Sequence, residues 1–167
     1  MRRLLLIAVT LVLAACGFKL RGAYTLPFDT LYIALPETAE LRAVLKRNIE
    51  ASTQTRVGSD AKTAQAILAI TADLPSKAIL SLDSAGQVRE YRLQRVVGFR
   101  VYDSANRDLM PPGQIIIGRD ISFNSAQVLS KESEETLLWR DIQNDLVQQL
   151  LRRLAAAKAK PAEAEEQ

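Results

Sequence analysis

From Ser130 onward, Leu138, Ile142, Leu146, Leu150 and Leu154 recur every fourth residue, and Trp139, Val147 and Leu151 widen the same stripe. Residues four apart stack on one side of an α-helix, so the spacing predicts a long helix with a single apolar face. Glu132, Glu134 and Glu135 stand in its first turns and Arg152 and Arg153 in its last, as the helix dipole favours. An apolar face of this length must be covered, and the rest of the chain has to supply the cover.

That cover is predicted to be a sheet. Leu31-Tyr32-Ile33-Ala34-Leu35, closed by Pro36, reads as a buried strand. Leu41, Val44, Leu45 and Ile49 then form one face of a second helix beginning near Thr38, with Arg42, Lys46, Arg47 and Glu50 outside it. Ala66 to Leu74, stopped by Pro75, is a second strand. Lys77 to Asp83 and Gln87 to Tyr102 flank Ser84-Ala85-Gly86, where glycine supplies the positive φ of a bulged hairpin. A turn at Asp103 to Asn106 and the run Met110-Pro111-Pro112-Gly113 precede a strand from Gln114 to Asn124. The predicted fold class is α+β: a two-layer sandwich of two helices packed on one face of a four-stranded, mostly antiparallel sheet. Its other face is left to meet water, lipid or a partner.

Before this domain, Arg2 and Arg3 lead an apolar run from Leu4 to Ala15 that is too short to span a bilayer and has the form of an export signal. Leu13-Ala14-Ala15-Cys16 resembles a bacterial lipobox, which implies cleavage before Cys16, a diacylglycerol on its thiol and an acyl chain on the new amino terminus. Such chains anchor a protein firmly to a bilayer. With Gly17 rather than Asp after the cysteine, the resemblance implies the outer membrane, on its periplasmic side. The expected organisation is a signal peptide at 1–15, a lipidated tether at 16–28, the α+β domain at 29–154 and a disordered tail at 155–167, rich in Ala, Lys and Glu.

Composition narrows the chemistry. There is no histidine, the commonest general base and metal ligand, and the one cysteine is assigned to the anchor. No G-x-S-x-G, no glycine-rich phosphate loop and no metal-spaced cluster is present, so no catalytic residue, metal or other cofactor is expected. Removing Arg2 and Arg3 leaves 20 basic against 19 acidic residues, which argues against nucleic acid as a partner.

Binding is the chemistry the residues do offer. In the long strand Tyr91, Leu93, Val97, Phe99 and Val101 share a face, with Arg92, Gln94 and Arg100 on the other. Arg95 breaks this alternation and Arg119 does the same between Ile117 and Ile121, through a bulge or at the margin of the apolar face. Arg89, Arg95 and Arg119, with Lys131 just beyond, form a cationic group suited to a phosphorylated amphiphile such as lipopolysaccharide; Arg92 and Arg100 are expected to face a partner. The same cations also suit soluble strand edges, and Arg95 and Arg119 suit ion pairs with Asp120 or Glu90.

Three features resemble the LptE (RlpB) family of lipopolysaccharide-assembly lipoproteins: Cys16-Gly17-Phe18-Lys19-Leu20-Arg21-Gly22, the stretch from Gly86-Gln87 to Glu90-Tyr91, and Arg119 followed by Lys131 and an acidic helix start. The resemblance implies a non-enzymatic plug inside the β-barrel protein LptD, needed for barrel assembly, with the pair placing lipopolysaccharide in the outer leaflet. It also implies lipopolysaccharide binding, with Lys131 and Arg119 at basic family positions. This chain departs from the pattern at Asp83-Ser84, where some relatives carry a basic residue, and Arg89 is the nearest substitute. Without the resemblance, a lipoprotein carrier that holds an amphiphile on its own fits the same residues.

Overall fold

The computed structural model describes residues 24–124 and 128–157. The signal peptide, Cys16, the tether as far as residue 23 and the tail from residue 158 lie outside the described residues. The elements run β1 (Thr30–Ala34), α1 (Glu40–Ser52), β2 (Arg56–Gly58), β3 (Ala66–Leu82), β4 (Val88–Tyr102), β5 (Asp108–Ser122) and α2 (Val128–Ala155).

The fold is α+β with both helices in one layer, as expected, but the sheet has five strands in the order β2-β1-β3-β4-β5 rather than four. The extra strand is β2, three residues paired parallel to β1 from Thr30↔Arg56 to Tyr32↔Gly58. Three residues are too few to show a period of two, so β2 exists only because β1 offers it an edge. β1 and β3 are also parallel, over Ala66–Ala69, while β3, β4 and β5 form an antiparallel meander.

Prolines mislead at two strand boundaries. β3 runs straight through Pro75 to Leu82, because β1 pairs with it only as far as Ala69 and the remainder is an edge, where a missing N–H is tolerated. β5 likewise begins at Asp108 and passes through Pro111 and Pro112, on the outermost strand. A bulge there absorbs the irregularity: Phe99↔Gly113 is followed by Val101↔Met110. Gly113 is needed at that point, since a Cβ would lie 2.8 Å from Cζ of Phe99.

The two hairpin turns share one design. Asp83 and Asp103 each accept backbone N–H bonds from two and four residues ahead, at 2.8 to 2.9 Å, and Gly86 (φ 78°) and Asn106 (φ 62°) take the left-handed position. Asp83 is therefore spent on its own turn.

One apolar cluster joins both helices to the odd-numbered face of the meander. Leu41, Leu45 and Ile49 of α1 and Ile142, Leu146, Leu150, Leu151 and Leu154 of α2 meet Leu31, Ile33, Leu68, Leu93, Val97, Phe99, Val101, Ile115 and Ile117. α1 starts at Glu40 rather than near Thr38, with no side-chain cap at Ala39, and ends where Ser52 and Thr53 donate hydroxyl bonds to the carbonyls of Asn48 and Ile49. Residues 24–28, expected within the tether, are packed: Leu26 and Phe28 are buried and the Tyr24 N–H donates to the Ser52 carbonyl.

The core thins toward the β3–β4 turn, where Ile121 is still buried. β3 and β4 extend about 50 Å at ~3.3 Å per residue, whereas among the described residues of α2 burial begins at Ile142. Leu146→Ala is expected to cost about 2 to 5 kcal/mol and Leu137→Ala, at 62% exposure, less than about 0.5 kcal/mol. Chemical denaturation of both variants checks the difference.

Candidate binding surfaces

Two surfaces remain outside the core: the even-numbered face of the sheet, and the end where the β3–β4 turn, the last residues of β5 and the start of α2 converge. On the open face Leu74, Val96 and Ile116 stand directly opposite one another across three strands. Leu74 is 61% and Ile116 56% exposed. Ion pairs flank the row on both sides. Arg92 forms a two-pronged pair with Asp120 at 2.7 and 2.8 Å, and Arg100 holds Asp108 at 2.6 Å while its guanidinium lies 4.5 Å from the centre of the Tyr102 ring. Arg92 and Arg100 are thus on the face expected for a partner, each with its counter-ion already in place.

Arg95 and Arg119 do not sit at bulges. The β4–β5 register is unbroken from Glu90↔Ser122 to Phe99↔Gly113, so both keep the alternation and point to the helix layer. Arg95 is 15% exposed; it bonds Asp73 twice at 2.7 Å and reaches Gln143 of α2, which in turn donates to Glu40 of α1. Arg119 spans Asp141 and Asp145, one helical turn apart, at 2.9 Å each. The ion pairs are real, but the carboxylates are not those expected from sequence: Asp120 belongs to Arg92, and Glu90 accepts from the Ser81 hydroxyl. Hydrogen bonding raises the pKa of all three arginines, through Asp120 for Arg92, Asp73 for Arg95, and Asp145 then Asp141 for Arg119.

At the far end of the sheet a hollow of 330 Å³ is lined by Asp83, Gln87, Val88, Arg89, Tyr91, Phe123 and Asn124. Tyr91 and Phe123 meet edge to face at 5.6 Å and divide it from a second hollow of 110 Å³ beneath α2. Arg89 is exposed and makes no side-chain ion pair or hydrogen bond among the described residues. Lys131, beside the second hollow, is 17% exposed and bonds Glu134 at 2.8 Å and Ser122 at 3.0 Å. The structure therefore brings Arg89 and Lys131 to one end of the sheet and holds Arg95 and Arg119 under the helix.

Sequence reasoning missed Lys77, which bonds Glu135 at 2.6 Å and lies 4.4 Å from the centre of the Tyr91 ring. It also missed the apolar row of the open face. The strand alternation on β4 and β5 held the signal for Val96 and Ile116, but Leu74 and Lys77 depended on reading β3 through Pro75. Among the described residues no group of three or more acidic or cysteine side chains is placed to hold a metal ion, and no helix is long and apolar enough to cross a membrane.

A sheet with one helix-covered face, one open face and an amphipathic far end defines a small two-layer α+β domain, and comparison with known proteins places it further. Residues 28–154 match the LptE family, described as lipopolysaccharide-assembly, and the chain belongs to that family. The family is a non-enzymatic one of lipopolysaccharide assembly. The solution structure of a lipoprotein B from Nitrosomonas europaea is 39% identical, covers 84% of this chain and 91% of its own, and superposes with a TM-score of 0.74. A minor lipoprotein from Acinetobacter baumannii is 24% identical over 80% of this chain and 98% of its own, with a TM-score of 0.64. The rare lipoprotein B of Shewanella oneidensis is 23% identical over 77% and 95%, with a TM-score of 0.66; these two share the fold. No curated protein matches the chain in sequence.

Asp103 and Asp120 are held below the ordinary carboxylate range, Asp103 first by the Arg107 backbone N–H and Asp120 first by the Arg92 side chain. A depressed folded-state pKa stabilises the fold above the unfolded value of about 3.9 and is lost as pH falls through the lower folded value. With no histidine to titrate, the thermal midpoint should stay level from about pH 5 to about pH 8 and fall below about pH 4. A midpoint that drifts around neutrality contradicts this account.

Proposed function

We propose that this protein is an outer-membrane lipoprotein, anchored through acyl chains on Cys16, that seats in the lumen of the LptD barrel, supports its assembly and holds lipopolysaccharide at the far end of its sheet. The observation that carries the reading is the polarity of the domain. Tyr24, where the described chain begins, lies against Ser52 and Gln148 at the core end. Arg89 and the aromatic hollow lie at the opposite end of β3 and β4, about 50 Å away at ~3.3 Å per residue. An anchor at one end and a cationic, aromatic hollow at the other suit a molecule that is tethered to one leaflet and serves an amphiphile bound for the other.

The open face suits a barrel interior. A large barrel has a polar inner wall and a lumen that must be filled. Burying a lone charge against that wall is costly, whereas Arg92–Asp120 and Arg100–Asp108 enter already paired. A photo-crosslinker at Arg92 or Arg100 should therefore yield adducts with LptD lumen positions. Adducts formed only from the outer sides of the helices, at Arg47 or Arg140, reverse the orientation.

Lipopolysaccharide supplies phosphates for the cations and acyl chains for Tyr91, Phe123 and the exposed Ile79 and Leu82. Among the described residues Arg89 has no counter-ion to give up, so it is the most available of the four cations assigned to the lipid; Lys131, Arg95 and Arg119 must first leave a carboxylate. Arg89→Glu should weaken lipopolysaccharide binding by roughly fivefold or more at low salt and leave the thermal midpoint unchanged. Equal affinity of both proteins takes Arg89 out of the site.

A further inference from the structure

We propose that the first turns of α2 are a flap held shut by Glu135 on Lys77, and that the phosphate of an anionic amphiphile opens it by taking Lys77 from that carboxylate. The proposal rests on the lipopolysaccharide reading above and concerns how access to that end of the sheet is controlled.

The start of α2 is packed unlike the rest of the helix. From Leu129 to Leu137 no side chain is buried, and the first buried residue is Ile142. Leu129 (81% exposed) and Leu137 (62% exposed) face solvent, although Ile121 on the sheet below is buried. Two polar ties join this stretch to the sheet: Lys77 to Glu135 at 2.6 Å and Lys131 to Ser122 at 3.0 Å. A helix segment without buried apolar contacts belongs to the least stable part of a fold, and a partly exposed ion pair is a weak clasp. Beneath it lies the 110 Å³ hollow, with Tyr91, Ile121 and Phe123 along the sheet side.

Lys77 is the group that a ligand would contest. Its ammonium lies between the Glu135 carboxylate and the Tyr91 ring, so it is fixed by one charge and one aromatic face. A phosphomonoester carries about −1.5 to −2 at neutral pH against the single charge of Glu135, and so outcompetes it for the ammonium. Once Glu135 is displaced, acyl chains can cover the apolar floor that the flap had roofed. Glu135 also accepts the indole N–H of Trp139 at 3.3 Å, and Trp139 is the sole tryptophan of the chain, so its fluorescence reports the clasp.

The test uses the full chain in mild detergent, with lipopolysaccharide as the probe, and three variants. Lys77→Gln and Glu135→Gln both break the clasp; Glu132→Gln changes charge by the same amount as Glu135→Gln without releasing a cation. Without ligand, amide exchange over residues 129–138 should quicken about fivefold in Lys77→Gln and Glu135→Gln, with Trp139 emission altered, and stay unchanged in Glu132→Gln. With lipopolysaccharide, Glu135→Gln should bind about three- to fivefold more tightly, Lys77→Gln more weakly, and Glu132→Gln like the natural protein. Lipopolysaccharide added to the natural protein should quicken the same amides. Unchanged exchange in both clasp variants overturns the flap whatever the ligand does. Tighter binding in Glu132→Gln equal to that in Glu135→Gln reduces the effect to net charge and overturns the role of Lys77. Quickened exchange in the variants without any lipopolysaccharide binding by the natural protein sinks the lipid reading, and ligand-driven opening with it.

Discussion

Everything in this domain is arranged around the contact between the apolar stripe of α2 and the odd-numbered face of β4 and β5. Ile142, Leu146, Leu150 and Leu154 are fully or almost fully buried there, and each such side chain contributes about 1.5 to 3 kcal/mol relative to exposure. The stripe sets which sheet face is covered, and hence which residues are left for other molecules. It also sets where the core stops. Beyond Ile142 the helix continues toward the hairpin turn with only Leu138 and Trp139 partly buried, while Ile121 of the meander stays buried and Tyr91 partly so.

Where apolar contact ends, paired charge takes over. Arg95 ties β4 to β3 through Asp73 and to α2 through Gln143, and Gln143 reaches Glu40 of α1, so one partly buried guanidinium touches every layer. Arg119 grips α2 at Asp141 and Asp145. These arginines fix the height of the helix above the sheet rather than adding much stability, since an ion pair must offset the desolvation of both partners. Nearer the turn the ties thin to Lys77–Glu135 and Lys131–Ser122, the stretch proposed above as a flap.

This gradient from apolar core to charged margin fits a member of a lipopolysaccharide-assembly family. The core end provides a fixed body, and the far end supplies aromatic rings, exposed leucine and isoleucine, and cations of graded availability, from Arg89, without a counter-ion among the described residues, to Lys131, held by Glu134. An amphiphile needs both kinds of contact, and a site whose cations are already paired is selective, because only a ligand with denser charge displaces a carboxylate.

Sequence determined the elements whose signal is local. The every-fourth-residue stripe of α2, the apolar face of α1, the alternation along β4 and the Asp-Ser-Ala-Gly turn are all periodic or chemical features of adjacent residues, and with them came the two-layer fold. Asp103-Ser104-Ala105-Asn106 repeats that turn and was equally readable. Tertiary structure alone decided the rest. Pro75, Pro111 and Pro112 lie within strands because those strands are edges, which depends on how far their neighbours extend. β2 forms only because β1 offers it an edge. The cations were legible as residues but not as a site, because for several of them availability depends on distant counter-ions, Asp73 for Arg95 at 22 positions and Glu135 for Lys77 at 58. A charge is a property of the sequence, whereas whether that charge is already satisfied is a property of the fold.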